Sequence, residues 1–394
     1  MASKLIVLAV IVLGIITVSQ LMKVYQLSSK LSNKNEAEIS EKNNNLNAKL
    51  MIVFVLALFA GFIWLMLKYG WTGRGMAASV HGHEVDWLLN LNFVIILFVF
   101  FLTHIVLFFF AYKYVRKPGV KAHFFAHSNK LEMIWTVIPA IALGVIIIFG
   151  LRTWNKITDV AAAESIRVEL FSKQFDWTAR YSGEDNALGK FDYKLTTDDN
   201  ELGLLTTNTI DSAINNMENG ISGIKALEDK LNDPSVVLSV QDRNDLMTDL
   251  DRKGRLIRLL HQMKGRHDSK ADALAWDDII QKDTLYLCVD KEYELNFRSK
   301  DVIHSAYLPN FRVQMNTVPG MTTRFKFTPD ITTEDFRKTK HNPDFHFVLM
   351  CNKICGGAHY KMKMTVVVLE EEEYDDWMES KSFDTFKDKY FASM

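Results

Sequence analysis

Four long hydrophobic runs occupy the first part of the chain, at 5–22, 50–67, 88–112 and 131–151. Each run is close to, or longer than, the roughly 20 residues that an α-helix needs to cross a bilayer. No convincing small-residue cleavage site follows the first run, so we expect it to be retained rather than removed as a signal peptide. The pattern predicts four transmembrane helices that carry a polar, globular head.

Basic residues are concentrated in two of the polar segments between these runs. The segment 23–49 carries five lysines, and the segment 113–130 carries four lysines and one arginine. Because cytoplasmic loops of membrane proteins are enriched in Lys and Arg, both segments should face the cytoplasm. Both termini and the globular head are then expected on the opposite side of the membrane.

The head contains two kinds of pattern. Apolar and polar residues alternate in 166–171, 285–297 and 325–327, and 365–369 is rich in β-branched residues, as in β-strands. Between about 185 and 283, apolar residues instead recur at steps of three and four, first from Ile210 to Leu231 and then over 246–260, with a third short stretch at 271–280. We therefore predict a β domain that carries a helical insertion.

Composition removes several classes of function. The net charge of −1 at pH 7 provides no basic surface for nucleic acid. Three cysteines permit at most one disulfide. No Cys-x-x-Cys-His sequence occurs, which excludes a covalently attached c-type haem in this chain.

The densest group of metal-binding side chains lies at 350–362, Met-Cys-Asn-Lys-Ile-Cys-Gly-Gly-Ala-His-Tyr-Lys-Met. Its thiols, imidazole and thioethers are soft or borderline ligands. Two consecutive glycines should let the chain turn tightly, so that His359 and Met362 approach the cysteines. With His304 upstream as a further donor, a thioether beside thiolates favours copper, although a zinc site or a disulfide would also fit the two cysteines alone.

The spacing Cys-x3-Cys-Gly-x2-His-x2-Met, with Asp-Val-Ile-His-Ser at 301–305 upstream, closely resembles the binuclear copper A motif of subunit II of cytochrome c oxidase. In that family two thiolates bridge two copper ions. The resemblance therefore implies that Cys351 and Cys355 are the bridging residues.

The same resemblance implies the remaining ligands. His304 and Met362 would complete one copper, and His359 with the backbone carbonyl of Lys353 would complete the other. The family typically has Glu at the position of Lys353, where the carboxylate helps to hold a magnesium ion. We expect the lysine side chain to bind no metal here.

Two further segments resemble the same family. Residues 131–140 resemble the signature of its second transmembrane helix, in which a Glu at the cytoplasmic end lies at the mouth of a proton path, and Glu132 matches that residue. A solvated side chain at a helix end is the plainer interpretation. Residues 173–177 resemble the aromatic segment near the copper site, where an exposed ring accepts electrons. Phe175 and Trp177 occupy its two aromatic positions, and packing in the core is the alternative for both.

The patterns and the resemblance together predict the domain organisation. Residues 1–70 would be an N-terminal extension with two transmembrane helices, and 71–155 a transmembrane hairpin that packs on oxidase subunit I. Residues 156–380 would form a cupredoxin-like copper A domain, an all-β Greek-key barrel with the helical insertion at about 185–283. The tail, 381–394, follows an acidic segment from Glu370 that is expected to form an amphipathic helix. Its carboxylates either attract a basic cytochrome c or are simply solvated.

The resemblance also implies a function. The chain would be a multi-pass subunit of a bacterial inner-membrane oxidase, with its copper domain on the periplasmic side. It would take electrons from cytochrome c, or from a donor complex that bears one, and pass them to haem in subunit I. There, haem and copper B would reduce oxygen to water with proton pumping, so no catalytic residue for that step is expected in this chain. Expected partners are subunit I, other oxidase subunits and membrane lipid. The alternatives are a membrane-anchored copper-binding or assembly protein without turnover, and a quinol oxidase subunit.

Overall fold

The computed structural model describes residues 2–31, 40–70 and 74–392, and in the first helix it describes the side chains of residues 9, 10 and 12–29. The helices are α1 (Ala2–Leu31), α2 (Glu41–Tyr69), α3 (Val80–Lys113), α4 (Asn129–Thr158), α5 (Thr207–Asn219), α6 (Ile224–Asn232), α7 (Val240–Arg266), α8 (Ala273–Trp276), α9 (Thr333–Lys340), α10 (Glu371–Lys381) and α11 (Phe386–Ala392). The strands are β1 (Ile166–Lys173), β2 (Asp176–Tyr181), β3 (Ile279–Lys282), β4 (Thr284–Cys288), β5 (Tyr293–Ser299), β6 (His304–Leu308), β7 (Val313–Thr317), β8 (Thr323–Phe327), β9 (Phe347–Cys351) and β10 (Lys363–Leu369). They form two compact units, residues 1–73 with 92–139, and residues 74–91 with 140–394.

Three helices of the described chain, α2, α3 and α4, are long and apolar enough to cross a membrane. They contain the second, third and fourth hydrophobic runs of the sequence. The first run, 5–22, lies in α1, which is not one of these three. The side chains of residues 5–8 and 11 lie outside the described residues, as do residues 32–39 of the first lysine-rich segment. The expectation of four spans is therefore corrected to three for the part of the chain that the structure describes.

Aromatic side chains join α2 to α3 within the first unit. The ring centroids of Phe59 and Phe101 lie 4.8 Å apart, and those of Phe54 and Phe108 lie 5.6 Å apart. Helix association in a membrane depends on such packing, because lipid tails are as apolar as the side chains themselves. The second helix of the N-terminal extension thus packs directly on the first helix of the predicted hairpin.

Two five-stranded sheets form the head, with strand orders β3-β2-β1-β5-β8 and β4-β10-β9-β6-β7. Neighbouring strands are antiparallel except for the parallel pairs β1–β5 and β4–β10. Side chains alternate across each strand, so that Met364, Val366 and Val368 of β10 are buried while the residues between them are partly exposed. This alternation gives each sheet one apolar face.

The apolar faces of the two sheets share one hydrophobic core. Leu170 and Phe297 enter it from the first sheet, and Leu349 and Val366 enter it from the second. Among the described strands no ladder joins the two sheets, and the chain crosses between them at several connections, one of which is the turn 318–321 between β7 and β8. The head therefore contains two five-stranded sheets packed face to face, and the cupredoxin-like Greek-key topology stays a prediction.

The helical insertion differs in detail from its prediction. The continuous apolar pattern from 210 to 231 is split into α5 and α6 at Gly220, and Ile221, which fits the pattern, is fully exposed. The predicted third helix at 271–280 shrinks to α8, because Ile279 already belongs to β3, which pairs with β2. Helices α5 and α7 have a small core of their own around Ile210 and Leu260.

A buried cluster of charged residues joins this insertion to the first sheet. Glu169 on β1 accepts hydrogen bonds from Arg180 and Arg298, Arg180 also donates to Asp278 at 2.7 Å, and Arg298 donates to the carbonyl of Leu202 at 3.0 Å. Burial opposes ionisation of Glu169, but its two arginines hold its pKa below the usual value. Burial raises the pKa of Asp278, which contacts a single arginine, to about 7. The cluster is neutral when both carboxylates are charged.

The acidic segment after β10 forms the predicted amphipathic helix, α10, which packs back on the head. Tyr374 is buried, and the ring of Trp377 stacks on Tyr286 with centroids 4.7 Å apart. The carboxylates at 370–373 lie at the α10 end of β10. β10 contains seven residues at about 3.3 Å each. The carboxylates at 370–373 therefore lie roughly 20 Å, the length of this strand, from the residues that precede β10.

Candidate metal centre

The candidate ligands lie on adjacent strands at one end of the second sheet. Cys351 is the last residue of β9, and His304 is the first residue of β6, which pairs with β9 so that Ala306 is opposite Cys351. Met362 immediately precedes β10, and its carbonyl accepts a hydrogen bond of 3.0 Å from the backbone N–H of Cys351. Antiparallel pairing of β9 with β10 thus brings both ends of the loop 352–362 together.

The sulfur and nitrogen atoms of these residues converge. Sγ of Cys351 lies 3.9 Å from Nδ1 of His304 and 3.9 Å from Sγ of Cys355. Sγ of Cys355 lies 3.6 Å from Nδ1 of His359 and 3.8 Å from Sδ of Met362. His304, Cys351 and Cys355 form a buried group whose ligand atoms all lie within 4.8 Å of one another.

The backbone supplies one further oxygen. The carbonyl of Lys353 lies 3.1 Å from Sγ of Cys351, while the lysine side chain is exposed. The structure therefore brings together all six groups that the sequence predicted as ligands. Their role in binding metal remains a prediction.

A single glycine sets the turn of the loop. Gly356 has a φ of +141°, which side chains rarely adopt, and a Cβ atom at this position would lie 2.9 Å from the ring of Phe175 and from Nε2 of Gln174. Nothing lies within 4 Å of a Cβ atom added to Gly357. The turn therefore requires glycine at Gly356, as expected, whereas the space around Gly357 would accept a side chain.

Asp301 orients the buried imidazole of His304. Its Oδ1 lies 2.9 Å from Nε2 of His304, while Nδ1 faces Cys351, so Nδ1 is the ring nitrogen directed at the candidate site. Burial disfavours the charged form of Asp301, but hydrogen bonds from the N–H of Gln174, from His304 and from the N–H of Val302 hold its pKa below the usual value. A hydrogen-bonded carboxylate of this kind fixes the tautomer of a metal-binding histidine.

Gln174 joins the two ligand-bearing loops, a role that the sequence did not reveal. Its backbone N–H donates to Oδ2 of Asp301 at 2.7 Å, and its side-chain amide donates to the carbonyl of Cys355 at 2.5 Å. The only signals in the sequence were the position of Asp301 three residues before His304 and the place of Gln174 in the aromatic segment. Neither reveals a contact between distant parts of the chain.

The cysteines of the site are thiols. Their sulfur atoms are 3.9 Å apart, and all three cysteines of the chain are free. Burial, followed by the proximity of Cys351, raises the pKa of the Cys355 thiol to about 11. Since metals bind thiolates, occupancy by a cation would have to displace these protons. Cys288, on β4 and outside this group, is also a buried thiol.

The two aromatic candidates differ in exposure. Trp177 is fully buried, with its ring centroid 6.3 Å from that of His304, and its indole N–H has no hydrogen-bond partner among the described residues. Phe175 is partly buried and lies against Gly356. Of the two rings, only Phe175 has surface that a partner could touch.

Glu132 belongs to a different region. It lies in the first turn of α4, about half exposed, and its carboxylate is 3.9 Å from Nδ1 of His127. The position agrees with a helix end, as the sequence indicated. No observation in the structure tests a role in proton transfer.

Part of the chain matches a known family model, and most of the chain aligns with known proteins. Residues 70–153 match the family model described as cytochrome c oxidase subunit II, transmembrane domain. Over 337 residues the chain is 24% identical to the alternative cytochrome c oxidase subunit 2 of Bradyrhizobium diazoefficiens, an alignment that covers 85% of this chain and 92% of the relative. Over most of its length this chain is similar to cytochrome c oxidase subunit 2.

The chain is also similar to a second oxidase subunit and to a solved periplasmic domain. Cytochrome c oxidase subunit 2 of Cereibacter sphaeroides is 21% identical over 318 residues, covering 81% of this chain and 82% of the relative. Among solved structures, the periplasmic domain of subunit II of cytochrome oxidase (CoxB) of Bradyrhizobium japonicum aligns with a TM-score of 0.28 at 14% identity, over 57% of this chain and 99% of that domain. The relationship to the oxidase subunit thus rests on the sequence alignments and on the transmembrane family model.

Proposed function

We propose that this chain is the copper-binding, electron-accepting subunit II of a cytochrome c oxidase. The observation that carries the proposal is the convergence of two buried thiols with two imidazoles, a thioether and a backbone carbonyl. This convergence occurs in a chain that is related to oxidase subunits over most of its length. Cys351 and Cys355 are proposed to bridge two copper ions.

The donor set fits copper better than zinc. Structural zinc sites use four Cys or His ligands, whereas a weakly bound Met beside thiolates and imidazoles is typical of copper electron-transfer centres. Met362 is buried, with its Sδ 3.8 Å from Sγ of Cys355, so the thioether faces the group. Bound copper would carry one electron at a time. The residues of the chain hold the thiolates, orient the imidazole of His304 through Asp301 and shield the centre from water.

The remaining features of the oxidase subunit belong to the same proposal. The head is a cupredoxin-like domain on the periplasmic side of a bacterial inner membrane. Electrons pass from the donor to haem in subunit I, where haem and copper B reduce oxygen with proton pumping. Glu132 lies at a proton path, and Phe175, the ring with accessible surface, is the residue where electrons are received.

The charged residues around the loop 352–362 indicate what kind of electron donor could dock there. From 345 to 369 the chain contains no carboxylate, and the exposed side chains of the loop include Lys353 and Lys361. The acidic residues at the start of α10 are at the other end of β10. This distribution supports a solvated role for the acidic segment, and it favours a donor cytochrome c domain whose docking face is not strongly basic.

The test is copper stoichiometry with electron paramagnetic resonance on the full-length chain, purified in detergent and loaded with copper. The proposal requires two coppers per chain that share one unpaired electron. Replacing Cys351 or Cys355 by Ser should abolish that signal, whereas Cys288→Ser, a change in a buried thiol outside the site, should leave it intact. Met362→Leu should alter the signal, and Met364→Leu, a buried methionine two residues further on, should not. One localised copper, or zinc alone, would refute the binuclear site.

Two other functions are distinguished by further measurements. A membrane-anchored copper-binding or assembly protein would load copper but would not remain bound to a haem-bearing membrane subunit during purification. A quinol oxidase subunit would need no copper ligands, and the convergence of the complete set weighs against it. Copurification with a haem-bearing subunit, together with turnover on reduced cytochrome c, separates the three.

A further inference from the structure

A cleft of about 420 Å³ lies between the beginning of α3 and the end of α4, within the second unit. It is lined by the side chains of His83, Glu84, Trp87, Phe149, Arg152 and Lys156, together with Thr153. This volume is within the range of roughly 300–1,000 Å³ in which proteins bind small ligands. None of these residues belongs to the candidate metal centre.

The cleft lies where both helices leave their apolar runs. Residues 88–112 of α3 and 131–151 of α4 are the hydrophobic parts of these helices, so Trp87 and Arg152 are the first residues beyond them. The rings of Trp87 and Phe149 meet edge to face with centroids 5.2 Å apart and form the apolar side of the cleft. Tryptophan is enriched at this depth, where acyl chains give way to lipid headgroups.

The charges on the polar side of the cleft do not cancel. Lys156 pairs with Glu84 at 2.5 Å, and His83 lies 2.7 Å from a carboxylate oxygen of Asp330. Arg152 is exposed and makes no ion pair or hydrogen bond with any described residue. The cleft therefore presents one guanidinium without a counter-charge, with a second cation close by on the next turn of α4.

We propose that this cleft binds an anionic glycerophospholipid, with the lipid phosphate on Arg152 and the first carbons of an acyl chain against Trp87 and Phe149. A planar guanidinium matches two phosphate oxygens, and this match is the basis for placing the lipid phosphate on Arg152. Lys156, held by Glu84, adds a second donor at the rim. The lipid phosphate supplies the counter-charge that Arg152 does not find among the described residues.

The test uses the full-length chain within its purified membrane complex, delipidated in detergent and then titrated with dioleoyl-phosphatidylglycerol, with native mass spectrometry to count bound lipid. Arg152→Gln should weaken binding of one phosphatidylglycerol by about tenfold or more, because a charge-assisted bond is lost, and Arg152→Lys should restore part of it. The matched control is Arg116→Gln, an exposed arginine in the loop beyond the other end of α3, which should change nothing. Thermal unfolding of each variant shows that it is folded.

The same titration with dioleoyl-phosphatidylcholine and with inorganic phosphate distinguishes the sources of the anion. Weaker binding of phosphatidylcholine, and displacement of phosphatidylglycerol only at high concentrations of free phosphate, support a lipid site. Equal loss in Arg152→Gln and Arg116→Gln, or equal binding of both lipids, would overturn the proposal. So would a variant that keeps all its lipid but releases another subunit of the complex, since the cleft would then be a protein interface.

Discussion

Asp301 is not one of the six candidate ligands, yet its carboxylate contacts three groups that set the geometry of the site. Oδ1 lies 2.9 Å from Nε2 of His304 and accepts from the N–H of Val302 at 2.7 Å, while Oδ2 accepts from the N–H of Gln174 at 2.7 Å. In Asp301→Asn a neutral amide takes the place of the carboxylate. One oxygen can still accept from His304, but the amide NH₂ then faces the N–H of Gln174, and that hydrogen bond is lost.

The expected size of the effect follows from these contacts. Charge-assisted hydrogen bonds are roughly twice as strong as neutral ones, so the bond to His304 is weakened and its tautomer is less firmly held. Loss of the outer partner of a metal-binding histidine typically lowers metal affinity by about 10- to 100-fold, or about 1.4–2.7 kcal/mol. We expect a fall of this size in copper affinity for Asp301→Asn, and a larger fall for Asp301→Ala.

Copper(I) affinity is measured by competition with a chromophoric chelator on the full-length chain in detergent. The reduction potential provides a second readout, which should shift because the basicity of His304 changes. Asp176→Asn is the matched control, since the carboxylate of Asp176 lies in the same turn as Gln174 and accepts from the N–H of Trp177 at 2.8 Å, but contacts no candidate ligand. If Asp301→Asn bound copper with unchanged affinity and unchanged potential, the orienting role of this carboxylate would be refuted.

Three further substitutions test the loop, the buried cluster and the aromatic pair. Gly356→Ala should lower the unfolding free energy by about 1–3 kcal/mol and should lower copper loading, because alanine is strained at this φ and its Cβ would press on the ring of Phe175. Gly357→Ala should be near neutral, and equal denaturant midpoints for the two variants would contradict this reasoning. Glu169→Gln should lower the unfolding free energy, measured in urea, by about 3–5 kcal/mol, because two buried arginines lose their shared counter-charge. The control Glu294→Gln breaks longer ion pairs with more exposed arginines and should cost about 1 kcal/mol or less. Trp177→Phe should lower the unfolding free energy by about 1–3 kcal/mol, because the smaller ring leaves a cavity at a fully buried position. It should leave the KM for the donor unchanged, and a raised KM would show that this ring contributes to docking.

The convergence of the six candidate groups was predictable from the sequence because most of them lie in one short loop. The loop from Cys351 to Met362 carries four of the ligand side chains in twelve residues, so its spacing alone restricts how they can meet. His304 was found through its neighbours in the sequence. Gln174 was not identified as a bridge between loops, because its hydrogen bond to the carbonyl of Cys355 spans 181 positions and depends on how the two sheets pack. Patterns of residue type do not predict a contact of this kind between a side chain and a distant backbone carbonyl.

Helical periodicity was less reliable than motif spacing for a related reason. The apolar steps from 210 to 231 continue through Ile221, but Gly220 and Gly223 end one helix and begin the next, and Ile221 lies in solvent. At 279, the pairing of β3 with β2 overrides the local helical pattern. Both errors occur where a short element is decided by its partners and not by its own side chains.

The buried charges determine how the insertion can be separated from the metal centre. Arg298 donates a hydrogen bond to the carbonyl of Leu202, and Arg180 donates one to Asp278. β5, which carries Arg298, is followed directly by the loop that leads to His304. Removing residues 200–280 would therefore delete partners of both arginines, and a loss of copper or turnover would report misfolding instead of a lost docking surface. A deletion confined to 207–266, which contains α5, α6 and α7, keeps those partners. It exposes the apolar groups that face the small core around Ile210 and removes the carbonyl of Asn208, which accepts from the hydroxyl of Tyr390. Since both buried arginines stay paired, an effect of this deletion on donor turnover can be attributed to the insertion itself.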